Sequence, residues 1–503
     1  MGMVYIIGAG PGDPGLITIR GVQCIREADV IVYDHLVNPE ILRHAGEKAR
    51  LIYAGKHGGD HTLCQSEINA LLIAEAKEGA IVARLKGGDP FIFGRGGEEA
   101  EVLREAGVPF EVVPGVSSAI AVPAYAGIPL THRNHTVSAA FVTGHEDPTK
   151  GKSHLDWSTL AGIGTLVFLM GVKNLSMIAE NLVHHGKDAA TPAALIRWGT
   201  TPNQETLTGT LGDIAQKAEQ RRITPPAIFV VGTVVGLRET LNWFEMKPLF
   251  GRGIVITRPE AQAGELSELL RRKGARVIPF PVIRVAPPES WEELDRTIDC
   301  LEGYRWIVFT SANGVAFFFR RLRERGRDIR DLKGIRIATI GPATASAVEA
   351  LGIRVDLVPE AFVSEGVVKA FSGMDLRGNR VLLPRAQEAR DVIPEGLAKM
   401  GAACDIATTY RTVRSDRTAS ELTPLFDDDK VDVITFTSPS TVANFLRIMG
   451  PWFHLPARVR IACIGPVTEA AARKAGLPVD ILQERYTIPG LVEALVAFFQ
   501  PAR

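Results

Sequence analysis

Sixteen consecutive residues, Arg84 to Glu99 (RLKGGDPFIFGRGGEE), hold five glycines, three cations and three acids directly behind an apolar run. A core segment is not composed in that way. Glycines allow a ligand to approach the backbone closely, and cations beside them suit an anionic partner. Three other stretches are composed similarly: Gly8-Ala-Gly10-Pro11-Gly12-Asp13-Pro-Gly15, Pro114-Gly-Val-Ser117-Ser118 and Gly127-Ile-Pro-Leu-Thr131-His132-Arg133. Farther along, Ser311 and Ser438 stand in Phe-Thr-Ser sequences, and Thr344 and Thr468 in Ile-Gly-Pro-x-Thr sequences. Hydroxyls and free N–H groups at helix starts make an anion site, although any one of these residues could equally be a simple N-cap. His57 and His61 are separated by glycines and have no third candidate ligand nearby, so no metal site is expected.

These residues require strands to deliver them. Ala80 to Leu85 reads as a buried strand that Gly-Gly-Asp-Pro must end, which puts the loop at the carboxyl edge of a sheet. Val4 to Gly8 and Val30 to Tyr33 read as strands, with a helix from Leu16 to Glu27 between them. The pattern continues with a strand at Leu51 to Tyr53, helices at Gln65 to Lys77 and Glu98 to Ala106, and a strand at Phe110 to Val113. A second alternating unit has strands near Ser138 to Thr143, Thr165 to Met170, Ala193 to Ile196 and Ala227 to Val231, with glycine loops at Gly144, Gly171 and Gly199. The opening loop superficially matches a dinucleotide fingerprint, but Asp13 stands where the third glycine is needed.

With 503 residues the chain is too long for one core. Lys plus Arg and Asp plus Glu are both 57, which argues against a general nucleic-acid or anionic-membrane binder and leaves room for a local basic pocket. Five dispersed cysteines suit a reducing compartment. No secretory signal or membrane span is apparent, so a cytoplasmic protein is expected.

The second half repeats itself. Ile256-Thr-Arg258-Pro-Glu-Ala resembles Leu383-Pro-Arg385-Ala-Gln-Glu, Phe309-Thr-Ser311 resembles Phe436-Thr-Ser438, and Ile340-Gly341-Pro-Ala-Thr344 resembles Ile464-Gly465-Pro-Val-Thr468. The offsets are 385 − 258 = 127, 438 − 311 = 127 and 465 − 341 = 124. Three matches at a nearly constant offset mean two copies of a parallel α/β unit, and four loops at equivalent positions favour a shared ligand cleft. Trp243 to Arg252, with Pro248 and two nearby glycines, reads as a linker.

The motifs GAGPGDPGLITIRG, RLKGGDPFIFGRGGEE, VVPGVSSA, GIPLTHR, TGH and LMG follow in this order over essentially all of residues 1–245. Together they resemble uroporphyrinogen-III C-methyltransferases of the tetrapyrrole methylase family. The resemblance implies two α/β domains (about 1–130 and 131–245) holding S-adenosylmethionine between them, with methyl groups passed to uroporphyrinogen III to give precorrin-2 for sirohaem or cobalamin. Gly87, Gly88 and Asp89 would meet the amino-acid end of the donor, Ser117 and Ser118 would add hydroxyls, and Pro11, Ile92, Met170, Gly199 and Ala227 would line the rest. Arg84, Lys86, Arg95 and Arg133 are candidates for the macrocycle's carboxylates, with Glu98 also near substrate. Asp34 and Lys56 match the family's proton acceptor and donor; Asp34 could instead cap the following helix, and Lys56 could be a solvated cation. A homodimer through this half is implied too.

Residues 253–503, through LLPRAQEARDVIPEGL, TTYRT, FTSPSTV and IGPVT, resemble uroporphyrinogen-III synthase, which closes hydroxymethylbilane with inversion of its last ring and uses no cofactor. The resemblance implies two α/β domains on a two-stranded hinge, 253–283 with 415–503 and an inserted 284–414, leaving 246–252 as the linker. Tyr410 is the candidate for assisting loss of the hydroxyl, if it is not an ordinary strand-boundary residue. Glu469 departs from the family pattern and would make the Thr468 loop less open. No dehydrogenase–chelatase segment is apparent, so the expected end point is precorrin-2. Two other readings remain at this level: a nicotinamide-dependent oxidoreductase built on the Gly8 loop with a duplicated anion-binding module, and a second half that senses tetrapyrrole carboxylates.

Overall fold

A computed structural model describes residues 2–55, 63–144, 155–483 and 485–500. The chain forms two compact units, one holding the chain up to Gly253 with the short segment Leu269–Arg276, the other holding Ile254–Glu268 and Val277–Leu495.

The first unit contains two five-stranded sheets. In the first, β1 (Met3–Gly8), β2 (Val30–Tyr33), β3 (Arg50–Tyr53), β4 (Ile81–Lys86) and β5 (Phe110–Val113) lie in the order β3-β2-β4-β1-β5, all parallel. Alternation along the strands splits the core: Val4, Ile6, Val32 and Val82 pack on one face with the helix Gln65–Lys77, while Ile7, Ile31 and Leu85 pack on the other with the helix Ile19–Glu27. That second helix starts later than Leu16. Pro14–Leu16 is a 3-10 turn, and the Thr18 hydroxyl caps the helix by accepting from the Gly21 N–H.

The second sheet, in the order β6-β7-β10-β8-β9, comprises β6 (Ala139–Thr143), β7 (Thr165–Leu169), β8 (Pro192–Arg197), β9 (Glu205–Thr210) and β10 (Ala227–Val231). Only β6 and β7 pair in parallel; β10 runs antiparallel to both β7 and β8, and β8 to β9. Simple strand–helix alternation is therefore corrected here. No helix separates β8 from β9, and so short a connection permits only antiparallel pairing. The strand β9 went unseen in the sequence because ETLTGT is an edge strand with little apolar content.

Residues 243–252 carry no helix or strand, yet Phe244 and Leu249 are buried, so the expected linker is packed down rather than free.

Farther along the chain, β11 (Gly253–Ile256) and β12 (Arg276–Pro279) belong to one sheet and β13 (Ile283–Ala286) starts another. The second of these continues with β14 (Trp306–Phe309), β15 (Arg336–Thr339), β16 (Arg380–Ala386) and β17 (Ala403–Arg414) in the order β13-β17-β16-β14-β15. The first is completed by β18 (Val433–Phe436), β19 (Arg460–Cys463) and β20 (Ile481–Leu482), in the order β12-β11-β18-β19-β20. The chain passes from one sheet to the other at residues 280–283 and returns at 414–416, where the Ser415 N–H donates to the Val282 carbonyl at 3.1 Å.

Candidate functional site

In the first unit the carboxyl ends of β1, β2 and β4 face loops of the second sheet across a cavity of about 800 Å³. Pro11, Asp34, Gly87, Gly88, Ile92, Arg95, Ser118, Met170, Gly199 and Ala227 all line it. Its floor depends on backbone contact. Gly10 and Gly88 exchange N–H···O bonds at 3.2 and 2.7 Å, and Gly88 has φ +71°. At Gly199 a Cβ would fall 2.4 Å from the Val122 side chain, so the bare backbone lets that helix approach the wall.

Phe93, Arg95, Met170 and Trp198 line the cavity with φ between 48° and 58°, a conformation side-chain-bearing residues rarely adopt. Backbone strain of this kind clusters where a ligand has to be met. Trp198 and His35, whose rings meet edge-to-face at 6.3 Å, also line the cavity and were missed in the sequence. The only signal for Trp198 was its place beside Gly199 at a strand end.

Asp89 and Ser117 are not among the lining residues. Asp89 Oδ1 accepts from the Phe91 N–H at 2.8 Å and Oδ2 from the Gly115 N–H at 2.9 Å, so the carboxylate braces two loops against each other. Ser117 caps the helix Ser118–Tyr125, its hydroxyl accepting from the Ala119 N–H. Both side chains thus tie together loops that border the cavity. Asp13 also joins the two sheets' loops: its N–H donates to Thr200 Oγ1 at 3.1 Å and its Oδ2 accepts from the Tyr125 hydroxyl at 2.7 Å. Burial and that bond push the Tyr125 hydroxyl well above the ordinary tyrosine value.

Arg84 and Lys86 are two of the cations expected to meet the macrocycle's carboxylates. Both are buried and share Glu99 Oε1, at 3.3 and 2.7 Å, although Lys86 still reaches the cavity wall. Burial first, and Arg84 second, hold the Lys86 ammonium below the ordinary lysine value despite Glu99. Asp34 Oδ1 accepts from the Leu36 N–H at 3.0 Å, while Oδ2 stands 3.7 Å from Arg84. Arg95 and Glu98 are exposed and paired at 2.7 Å; Glu98 and Arg133 do not line the cavity. Lys56, His57 and His61 lie outside the described residues. Among the described residues no group of three or more His, Cys, Asp and Glu could hold a metal ion.

The second unit displays its duplication in backbone angles. Gly341 (φ −179°, ψ 179°) and Gly465 (φ −179°, ψ 176°) introduce equivalent helices, Pro342–Glu349 and Pro466–Lys474. Thr344 and Thr468 are buried in the first turns. Ser311 and Ser438 cap the helices after β14 and β18, accepting from the Gly314 and Thr441 N–H groups. Both hydroxyls thus serve as N-caps. Glu469 pairs along its own helix with Arg473 at 2.9 Å. Tyr410 lies inside β17 rather than at a strand end, opposite a register shift at Arg385/Ala386. Its hydroxyl is 3.0 Å from Ser311 Oγ and its ring stacks on Phe317 at 5.9 Å.

Residues 3–215 match the family described as Tetrapyrrole (Corrin/Porphyrin) Methylases, and residues 264–493 match Uroporphyrinogen-III synthase HemD. The chain is 40% identical over 497 residues to a porphyrin biosynthesis protein HemD of Ruminiclostridium josui, covering 98% of each. It is 56% identical over 242 residues to an S-adenosyl-L-methionine-dependent uroporphyrinogen III methyltransferase of Methanosarcina barkeri, covering 48% of this chain and 95% of that one. A uroporphyrin-III C-methyl transferase structure from Thermus thermophilus, complexed with S-adenyl homocysteine, is 38% identical and covers 47% of this chain and 100% of that one, with a TM-score of 0.41.

Proposed function

Since the chain belongs to the tetrapyrrole methylase family in its first half and to the uroporphyrinogen-III synthase family in its second, we propose that it carries out both reactions in sequence. Its second half closes hydroxymethylbilane to uroporphyrinogen III, and its first half transfers two methyl groups to that product from S-adenosylmethionine, giving precorrin-2. The observation that carries the methylase reading is the cavity where the glycine loops of two sheets converge. A nicotinamide oxidoreductase has no support: the Gly8 loop runs into a 3-10 turn, not into the helix N-terminus that a pyrophosphate needs.

The cavity fits the methyl donor: its floor is bare backbone at Gly87 and Gly88 and its walls are largely apolar, at Ile92, Met170 and Ala227. The donor supplies an electrophilic methyl, and transfer is an in-line displacement, so the protein's task is alignment and exclusion of water. Asp34, on the same wall, takes the proton that the methylated macrocycle must lose; Lys56 is assigned the complementary donor role. Arg95, freed from Glu98, and Arg133 pair with substrate carboxylates. In the second half Tyr410, hydrogen-bonded to Ser311, gives its proton to the departing hydroxyl of hydroxymethylbilane as the C–O bond breaks, and water leaves. The loops of Thr344, Ser438 and Thr468 receive carboxylates.

The domain limits proposed are 1–245, 246–252 and 253–503. The same reading makes the protein a cytoplasmic homodimer through its first half, with tetrapyrroles rather than nucleic acid or membrane as partners. In support, its charge is balanced, and among the described residues no helix is long and apolar enough to cross a membrane. Incubation with hydroxymethylbilane and S-adenosylmethionine should yield a cyclic product carrying two added methyl groups by mass. A product without them would overturn the methylase assignment, and unconsumed hydroxymethylbilane the synthase assignment.

Two variants separate the roles. Asp89→Ala removes both braces and is expected to weaken S-adenosylmethionine binding about tenfold to a hundredfold by calorimetry, the equivalent of one hydrogen bond to a charged group at about 1.5–3 kcal/mol. Unchanged affinity would make the brace dispensable. Tyr410→Phe should slow cyclisation about tenfold or more while methylation of supplied uroporphyrinogen III continues at its native rate. Full cyclisation by that variant would reduce Tyr410 to a packing residue.

A further inference from the structure

Asp34 and Lys86 both face the cavity, and behind its wall they are joined by two charges for which methyl transfer, as described above, has no use. Arg84 and Lys86 are two residues apart on β4, the central strand, so their side chains leave the same face. Arg84 is 3% exposed and Lys86 4%. Against them stands Glu99, 1% exposed, in the first turn of the helix Gly96–Glu105. Glu99 Oε1 accepts from Lys86 Nζ at 2.7 Å, Gln65 Nε2 at 2.9 Å and Arg84 Nε at 3.3 Å. Arg84 then extends the other way, its terminal nitrogen 3.7 Å from Asp34 Oδ2. Charges therefore alternate from Asp34 through Arg84 and Glu99 to Lys86, with both ends at the cavity and the middle sealed.

Two observations set this apart from a packing device. Glu99 Oε2 is buried with no hydrogen-bond partner, whereas a pair built for cohesion would use both oxygens in a fork. Buried ion pairs are also weak contributors to stability, because apolar side chains of similar volume serve as well. What the arrangement does achieve is to set a fixed cation beside one cavity-facing carboxylate: Asp34 Oδ1 accepts from the Leu36 N–H, and the Arg84 guanidinium stands 3.7 Å from Oδ2. A base that must meet a reacting C–H within hydrogen-bond reach benefits from being fixed in that way.

We propose that Glu99 is a positioning residue for methyl transfer, holding Arg84 so that the guanidinium fixes the Asp34 carboxylate at the cavity wall. The proposal rests on the reading of Asp34 as the proton acceptor. Glu99→Gln keeps the shape and removes the charge; it should lower kcat for methylation of uroporphyrinogen III about tenfold to a hundredfold while leaving KM for S-adenosylmethionine and for the macrocycle within about twofold. Asp34→Asn alone should lower kcat at least as far. In the Asp34→Asn background the Glu99→Gln change should then have under about twofold effect, because residues acting as a unit are non-additive. All assays use the full chain, well below its measured melting temperature.

If Glu99→Gln does not fold, Glu99→Asp takes its place in the same cycle, with a smaller loss expected because the charge is kept one methylene short. An unchanged kcat in the Glu99 variant, or the same fractional loss with and without Asp34, overturns the proposal and leaves the reading of Asp34 standing. Native kcat in Asp34→Asn alone overturns that reading itself.

Discussion

Replacing Gly115 by alanine is expected to lower methyl transfer more than about a hundredfold and to leave cyclisation of hydroxymethylbilane within about twofold of its native rate. A Cβ at Gly115 would sit 2.4 Å from the Gly88 carbonyl oxygen and 2.6 Å from Gly8 Cα. Gly8 meets the same obstacle in reverse, with its Cβ 2.5 Å from Gly115 Cα. Every one of these contacts is to backbone, so no side chain can swing aside, and the loops after β1, β4 and β5 would have to separate. Overpacking typically costs about 1–3 kcal/mol, and a displacement near 1 Å is enough to misalign a displacement reaction about a hundredfold. The rate of labelled methyl incorporation, beside the melting temperature, tests this. Gly97→Ala is the control, because nothing stands within 4 Å of its Cβ; as a helical glycine it should gain up to about 1 kcal/mol of stability and keep full activity. Equal activity in the two variants would show that the convergence of glycine loops is not needed.

The position of that convergence was legible from the sequence, because glycine and proline punctuate strand ends whatever the tertiary context. Val30 to Tyr33, Gln65 to Lys77 and Phe110 to Val113 were bounded correctly since periodicity and breakers agree there. Side-chain direction was not legible. Arg84 and Lys86 resemble substrate cations by composition, and it is Glu99, from a helix fifteen and thirteen residues later, that pairs with them inside the fold. Asp89 and Ser117 sit in the ligand loops but spend their oxygens on neighbouring N–H groups, a choice that depends on how close those loops come. Trp198 gave no sign of its φ of 48°, since a bulky residue adopts that conformation only when surrounding structure imposes it. Tyr410 reads as lying near a strand end, whereas pairing with β16 and β13 carries β17 on to Arg414. In the duplicated half, spacing alone was enough: offsets of 127 and 124 could only be kept by two copies with the same loops.

The Glu99→Leu variant is expected to be about 3–5 kcal/mol less stable in the first unit, lowering its thermal midpoint by roughly 6–20 °C. The change strands Arg84 and Lys86, both buried, with Asp34 at 3.7 Å as the nearest anion to Arg84. Its pH dependence has a definite sign. Burial and Arg84 already hold the native Lys86 below the ordinary lysine value, and losing Glu99 removes an influence that raises it. Between the folded and unfolded values the unfolded chain binds more protons, so stability rises with pH across that window. The gap between variant and native midpoints should therefore narrow as pH is raised from about 7 towards the ordinary lysine value near 10.4. It should not close, because Arg84 stays charged throughout. A gap that widens with pH would mean that Lys86 is not the stranded group. Changing all three residues together, Arg84→Met, Lys86→Met and Glu99→Leu, should recover most of the lost stability, since apolar replacements of a buried ionic cluster are often neutral or better. Methyl transfer should stay at the level of the single variant. Stability restored without activity would place the value of these buried charges in how they hold Asp34, because packing by itself can be supplied by methionine and leucine.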